Sequence, residues 1–252
     1  MPRPNLAHEP HATEGAIDSA LFDHPGNRLE RLRRQVAGRI VFTTSFGIED
    51  QAILHLIAER QLAIEVATLD TGRLFPSTYA LWAETERKYG LRITSFSPDQ
   101  QALQSFVANR GINSFYQSVE ARLACCNVRK VGPLGRALAG AAAWVTGLRA
   151  DQSGERSAID LQTWDTARGM IKFAPLFDWT RNQVVDFCAS EQVPVNPLHA
   201  DGFASIGCQP CTRAIVDGEH ERAGRWWWEN DEARECGLHP GPDGRLVRKA
   251  SA

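Results

Sequence analysis

Strand-like and helix-like stretches alternate between Arg39 and Thr146, and this alternation limits the possible folds more than any other feature of the chain. Residues 39–45, 64–69, 91–96 and 142–146 read as strands. Residues 27–37, 50–61, 77–89 and 99–109 read as helices. In the second helix Ile53, Leu54, Ile57 and Ala58 share a face, and Gly90 closes the third as a C-cap. Strands joined by helical crossovers pair in parallel and need cover on both faces. The pattern therefore predicts an α/β fold with a doubly wound, mainly parallel sheet, whose ligands bind at the carboxyl ends of the strands. After about Phe173 the pattern changes to a helix over 180–191, and then to loops broken by Pro194, Pro197, Gly202 and Gly207. Three parts are expected: a polar arm over 1–25, the α/β body over 26–218, and a flexible tail over 219–252 that folds over the body.

Composition narrows the function classes. A 252-residue chain that is 43% hydrophobic can fill one large core. No apolar run approaches the ~18 residues of a membrane span. Residues 1–18 lack the basic start and apolar stretch of a secretory signal. Six cysteines in this length do not make a disulfide scaffold, so a reducing, cytoplasmic setting with metal-binding or catalytic thiols is expected. The net charge of −2 argues against a general nucleic-acid binder, and an anionic ligand would have to be caught by local cations.

Two strand-end turns can do that. Thr43-Thr44-Ser45-Phe46-Gly47-Ile48-Glu49-Asp50 places hydroxyls and a glycine at a helix N-terminus, the arrangement that cradles an anion, although an ordinary capped turn looks the same. Leu69-Asp70-Thr71-Gly72-Arg73 repeats it at the next strand end and adds a guanidinium fork. Two such turns in succession point to a nucleotide. Gly132, Gly135 and Gly140 do not make a dinucleotide fingerprint, because their spacing is wrong and they precede the strand. Arg149 follows the 142–146 strand and supplies a further strand-end cation.

The cysteines carry a second signal. Cys125 and Cys126 are adjacent, and Cys208-Gln209-Pro210-Cys211 follows, a set suited to a soft metal or an iron–sulfur cluster. Adjacent helical residues point about 100° apart, so both can ligate only a wide object. A cubane fits this better than zinc, which usually takes a spaced knuckle, yet zinc stays open at this point. Lys130, one helical turn on, is a charge partner for such a site. Cys188 reads as a core residue. Cys236 stands apart between Arg234 and His239, cations that favour a nucleophilic thiolate, although a tail thiol can equally be incidental. Arg213, Arg222 and Arg225 lie between the second pair and Cys236, and Trp226, Trp227 and Trp228 read as packing for the tail.

Together, Cys125-Cys126 with Lys130, Cys208-Gln209-Pro210-Cys211-Thr212-Arg213, Glu221-Arg222-Ala223-Gly224-Arg225-Trp226-Trp227-Trp228 and Glu235-Cys236-Gly237-Leu238-His239 resemble a known family. They are similar to the assimilatory adenosine 5′-phosphosulfate reductases of the cluster-containing type. The two strand-end turns resemble that family's modified phosphate loop and following strand end, and the likeness covers residues 39–239. It implies an adenine nucleotide alpha hydrolase-like, Rossmann-like fold and a [4Fe–4S] cluster on Cys125, Cys126, Cys208 and Cys211. It implies that Ser45, Gly47, Asp50, Thr71 and Gly72 meet the nucleotide, and that Lys130, Arg222 and Arg225, helped by Arg149 and Arg73, bind the phosphosulfate. Cys236 would attack the sulfate sulfur, releasing AMP and leaving a cysteine thiosulfonate that thioredoxin or glutaredoxin resolves to sulfite. A cytoplasmic homo-oligomer acting in sulfate assimilation and cysteine biosynthesis is expected. In several relatives a serine precedes the glycine of the first turn, where this chain has Phe46, so either Thr44 or Ser45 supplies the hydroxyl there.

Three alternatives compete. A reductase of 3′-phosphoadenylyl sulfate would share the fold, but cluster-bearing members mostly prefer the free 3′-hydroxyl. An adenylating enzyme of the ATP-pyrophosphatase type would leave Cys236 without a role. A zinc-stabilised nucleotide-binding module would hold zinc and no iron.

Overall fold

The computed structural model describes residues 24–152, 156 and 158–229. The elements run α1 (Pro25–Gln35), β1 (Ile40–Thr44), α2 (Ile48–Glu59), β2 (Glu65–Thr68), α3 (Pro76–Tyr89), β3 (Thr94–Ser95) and α4 (Gln100–Arg110). They continue with α5 (Val119–Cys126), α6 (Gly132–Ala137), β4 (Ala143–Val145), β5 (Gln162–Asp165), β6 (Met170–Phe173) and α7 (Arg181–Ser190). One six-stranded sheet has the order β3-β2-β1-β4-β6-β5. All neighbours are parallel except β5 against β6. This is the doubly wound α/β fold expected from the alternation.

The core follows from the two-residue repeat of a strand. Ile40 and Phe42 of β1 and Val145 of β4 face the layer of α1, α2 and α7, against Leu29, Ile53 and Val184. Val41 and Trp144, one residue out of step, face the opposite layer with Leu134 and Leu138. Because α2 is covered by α1, α3, α7 and the sheet, nearly every residue from Ile48 to Ile57 is buried. Arg28 of α1 is buried too. Its guanidinium donates to both carboxylate oxygens of Asp178 (2.6 and 2.7 Å) and to the Pro175 carbonyl (2.9 Å).

Local signals set the boundaries. Pro76 opens α3, and Gly90 ends it in the left-handed region (φ 62°). Thr180 and Gln183 form a capping box on α7. The third strand is shorter than the expected 91–96, because the Ile93 N–H donates to Glu86 Oε1 (2.8 Å) instead of to the sheet. The β5–β6 hairpin was not expected. Its turn is built by Asp165, whose carbonyl accepts Gly169 N–H (2.7 Å) and whose carboxylate accepts Arg168 N–H (3.1 Å). Residues 219–229 pack on the body, with Thr212 and Arg225 bridged in antiparallel fashion.

Strand order reverses between β1 and β4: β2 and β3 lie on one side, β6 and β5 on the other. A sheet of this kind opens a crevice at that switch point. Register places Thr44 level with Thr68 and Phe42 level with Val145, so the turns after β1, β2 and β4 reach the same edge.

Candidate active site at the strand ends

A cleft of about 200 Å³ lies at that edge. The turn after β1 forms its floor. Asp50, in the first turn of α2, accepts from the Ser45 backbone N–H (2.6 Å) and hydroxyl (2.8 Å) through Oδ2. Burial, and to a smaller extent the Glu49 charge, raise the Asp50 carboxyl to about 7 against the lowering effect of the Ser45 bonds. Phe46 adopts a left-handed φ of 61°, and its ring turns into the core to stack on Trp82 at 5.7 Å. The hydroxyl of Thr44 accepts from Phe46 N–H (3.0 Å). Gly147, after β4, is tight against this floor, since a methyl group there would overlap the Asp50 carboxylate.

Ser45, Gly47, Asp50, Thr71, Lys130, Arg222 and Arg225 all line the cleft. Leu69, Leu134 and Trp144 give it an apolar wall. Lys130, Arg222, Arg225 and Cys208 line it together, so cations and a thiol share the cleft. Gly72 lies in the turn after β2, where its N–H donates to Asp70 Oδ1 (2.9 Å).

Arg73 and Arg149 take different places. The Arg73 guanidinium donates to Asn113 Oδ1 (3.1 Å) and the Ile112 carbonyl (2.6 Å), over the Phe115 ring and beside the cysteines. Arg149 is fully buried under the cleft floor. It donates to Glu49 Oε1 through Nε (3.0 Å) and Nη2 (2.9 Å), and to Glu221 through Nη2 (3.0 and 2.8 Å). Burial pushes the Glu49 carboxyl up, but the Arg149 charge and bonds leave it below the ordinary range. For Glu221, which shares the same guanidinium, burial wins and the carboxyl stays raised.

The four paired cysteines come together. Ser118 caps α5, accepting from Ala121 N–H (3.1 Å), and α5 runs on into a π-helical turn over Asn127–Val131, a feature common at functional sites. Cys208 and Cys211 flank a short 3₁₀ turn, in which Cys211 N–H donates to the Cys208 carbonyl (2.9 Å). All four thiols are buried, in one apolar cluster with Phe106, Phe115 and Trp226. Arg73, Arg122, Arg129 and Lys130 line the small cavity that they share. Burial raises the Cys208 thiol, but Lys130, the Thr71 hydroxyl (3.3 Å), Arg225 and Arg129 bring it below its usual value. Burial and the nearby Cys208 push Cys211 up to about 12.

These residues fit an anionic, sulfide-bearing group. Arg129 Nε, Arg225 Nε and Trp226 Nε1 are buried donors without a hydrogen-bond acceptor, and all three belong to residues of this neighbourhood. Among the described residues no three His, Cys, Asp or Glu side chains close on a point, as a single ion requires. Four thiols around a shared cavity suit a wider object.

Cys236 lies outside the described residues, as do Arg234 and His239. Cys188 is a core residue of α7, its thiol raised to about 12 by burial and the Glu49 charge. Sequence reasoning missed Arg129, which lies one helical turn after Cys125 and donates to the Thr71 carbonyl (2.6 Å), and Arg122, one turn before it. That spacing, three residues for Arg122 and four for Arg129, was the available signal. It also missed His199, which lines the cleft and whose Nδ1 donates to the Phe203 carbonyl (2.7 Å).

The sequence profile of the phosphoadenosine phosphosulfate reductase domain matches residues 39–214. An adenosine 5′-phosphosulfate reductase of Agrobacterium fabrum is 50% identical over 244 residues, covering 95% of this chain and 94% of that one. One from Allochromatium vinosum is 52% identical over 200 residues (79% and 78%), and one from Neisseria meningitidis 42% over 240 (94% and 97%). Among solved structures, the phosphoadenylyl-sulfate reductase of Candida auris superposes with a TM-score of 0.67 at 24% identity, covering 81% of this chain and 98% of that one. That last likeness shows the fold.

Proposed function

The chain belongs to the phosphoadenosine phosphosulfate reductase family, and from that premise we propose that it reduces adenosine 5′-phosphosulfate to sulfite and AMP in sulfate assimilation. The observation that carries this reading is the cleft shared by Lys130, Arg222, Arg225 and Cys208, the last of these one of four buried thiols. A phosphosulfate brings negative charge that those cations neutralise, while Leu69, Leu134 and Trp144 offer apolar cover for a base. Similarity to enzymes named for adenosine 5′-phosphosulfate favours that substrate over its 3′-phosphorylated form. An adenylating enzyme would leave the thiols without a purpose, and a zinc module would use the thiols but give the cleft cations no reaction to serve.

Cys236 is the proposed nucleophile. Its thiolate attacks the sulfate sulfur, the S–S bond forms as the S–O bond to phosphate breaks, and AMP leaves with the electron pair. A thiol of a thioredoxin- or glutaredoxin-type donor then attacks Cys236 Sγ and sulfite departs. The donor's second thiol resolves the mixed disulfide and restores Cys236, so the dithiol supplies both electrons. Cation neutralisation by Lys130, Arg222 and Arg225 serves both the bound substrate and the departing AMP. Ser45, Gly47 and Thr71 line the nucleotide end, and Asp50 orients Ser45 through its two bonds. Arg149 is assigned to holding Glu49 and Glu221 in place under the substrate. Cys125, Cys126, Cys208 and Cys211 would hold a [4Fe–4S] cluster, which supplies local electrostatics and ties the two cysteine segments together when bound.

The reading is tested by anaerobic purification. Iron and acid-labile sulfide in equal amounts, sulfite release from adenosine 5′-phosphosulfate with a dithiol donor, and loss of that release in Cys236→Ser are expected. A fully active protein free of iron would remove the cluster, and a Cys236→Ser variant that turns over would remove the nucleophile.

A further inference from the structure

His199 ends a short 3₁₀ turn over Pro197–His199, in the loop that leads from α7 to Cys208. The turn is held from both sides. Buried Asn196 donates through Nδ2 to the Thr78 hydroxyl (3.1 Å), and its Oδ1 accepts from Leu198 N–H (3.1 Å). Phe203 N–H donates to the Leu198 carbonyl (3.0 Å), and the Phe203 ring meets Phe75 edge-on at 5.7 Å. The Phe203 carbonyl lies 2.7 Å from His199 Nδ1. A carbonyl can only accept, so the ring proton sits on Nδ1 and Nε2 is left as a bare acceptor. Burial, with Arg181 adding to it, holds the imidazole below its usual value against the Phe203 bond and the Glu49 charge, which keeps the ring neutral near pH 7. Nε2 is buried and has no hydrogen-bond partner among the described residues, yet His199 lines the cleft.

A buried acceptor without a donor is costly, and a ligand that brings the donor removes that cost. The parts of a phosphosulfate nucleotide differ in what they bring. Phosphate and sulfate oxygens only accept at neutral pH, and they belong with Lys130, Arg222 and Arg225. The base belongs with the apolar wall of Leu69, Leu134 and Trp144. The ribose between them carries hydroxyl donors. We propose that His199 Nε2 accepts a hydrogen bond from a ribose hydroxyl of the bound nucleotide, and so selects a nucleotide in which that hydroxyl is free. This rests on the cleft being the site for adenosine 5′-phosphosulfate. A phosphate on the same hydroxyl would remove the donor and set an anion against the Nε2 lone pair, in a cleft that Glu49 and Glu221 also line.

The test is calorimetry on the full-length protein with AMP and three analogues that each lack a donor: 2′-deoxy-AMP, 3′-deoxy-AMP and inosine 5′-monophosphate. Wild type is expected to bind one of the deoxy analogues about tenfold more weakly than AMP, the scale of one neutral hydrogen bond. His199→Leu should bind AMP and that analogue alike, at the weaker level. His199→Gln, whose amide oxygen reaches toward the Nε2 position, should recover part of the difference. The analogue that responds identifies the 2′- or the 3′-hydroxyl. If it is the 3′-hydroxyl, wild type should bind adenosine 3′,5′-bisphosphate more weakly than AMP, and His199→Leu should narrow that gap. Wild type that binds both deoxy analogues as tightly as AMP would overturn the proposal, whether or not the variants fold. So would an equal loss for AMP and both deoxy analogues in His199→Leu, which marks a support for the loop. A coupling seen only with inosine 5′-monophosphate would place the base amine at Nε2 and overturn it as well. Wild type that binds AMP but releases no sulfite from adenosine 5′-phosphosulfate would sink the reaction, while the analogue series still decides the hydroxyl contact.

Discussion

Gly207 lies directly beneath the guanidinium of Arg225: a methyl group at position 207 would sit 2.5 Å from Arg225 Cζ and overlap its terminal nitrogens. Arg225 donates to the Ile206 carbonyl (3.3 Å) and stacks on Trp226 at 4.8 Å, so the residue before Cys208 sets where this cation faces. Gly207→Ala should therefore push the guanidinium out of place without touching the cysteines. AMP affinity, measured by calorimetry, is expected to weaken about tenfold, or ~1.4 kcal/mol.

Asp50 makes stability depend on pH in a particular direction. Its folded carboxyl, at about 7, lies above the ordinary value of 3.8, so between these values the folded state holds a proton that the unfolded state has lost. Its contribution is fully present at low pH and is lost as pH rises through about 7. Asp50→Asn keeps the acceptor for Ser45 and removes the titration. Relative to wild type, urea midpoints of the variant should improve between pH 5 and pH 8, by on the order of a few kcal/mol in free energy. A constant difference across that range would contradict the assignment.

Arg149 is fully buried and serves three carboxylates at once, Glu49 and Glu221 at 2.9 and 2.8 Å and Asp151 at 3.3 Å. Arg149→Met strands Glu49 without its cation and leaves Glu221 only the more distant Arg181 (3.6 Å), and unfolding stability should fall by about 3–5 kcal/mol. Adding Glu49→Gln and Glu221→Gln should recover most of that loss in chemical denaturation. If stability is unmoved and only substrate affinity drops, Arg149 acts as a ligand contact instead.

Phe46 joins a left-handed backbone to a buried ring. Phe46→Ala removes the stack on Trp82 and should cost about 3–5 kcal/mol. Phe46→Gly loses one more carbon, yet it releases the strain of a side chain at positive φ. It should melt no lower than the alanine variant, by about 1 kcal/mol in its favour. Thermal denaturation of the two proteins orders them.

The sheet was legible because β1, β2 and β4 are buried on both faces and their helices carry a clear period, so hydrophobic pattern alone identifies them. The β5–β6 hairpin was hidden: Gln162, Thr163 and Trp164 are exposed on an edge strand and show no buried alternation. At the site, spacing exposed the cysteines, Lys130 and the strand-end turns, because each is a local motif. Arg73 and Arg149 looked equivalent in sequence as strand-end cations, and only tertiary partners separate them: Asn113 for one, Glu49 and Glu221 for the other. The pairing of Arg122 with Glu229, 107 residues away, had no local signature, since only the helical spacing of Arg122 from the cysteines was visible.

The spacing of the thiols also sets an order of events during synthesis. Cys125 and Cys126 leave the ribosome early, while the loop of Cys208 and Cys211 packs against Arg73, whose carbonyl accepts Gln209 N–H (2.8 Å). Any group gripped by all four thiols can be completed only once the first 211 of the 252 residues have been made. Until then Cys125 and Cys126 are half of a set, so insertion of such a group falls late in the making of the chain.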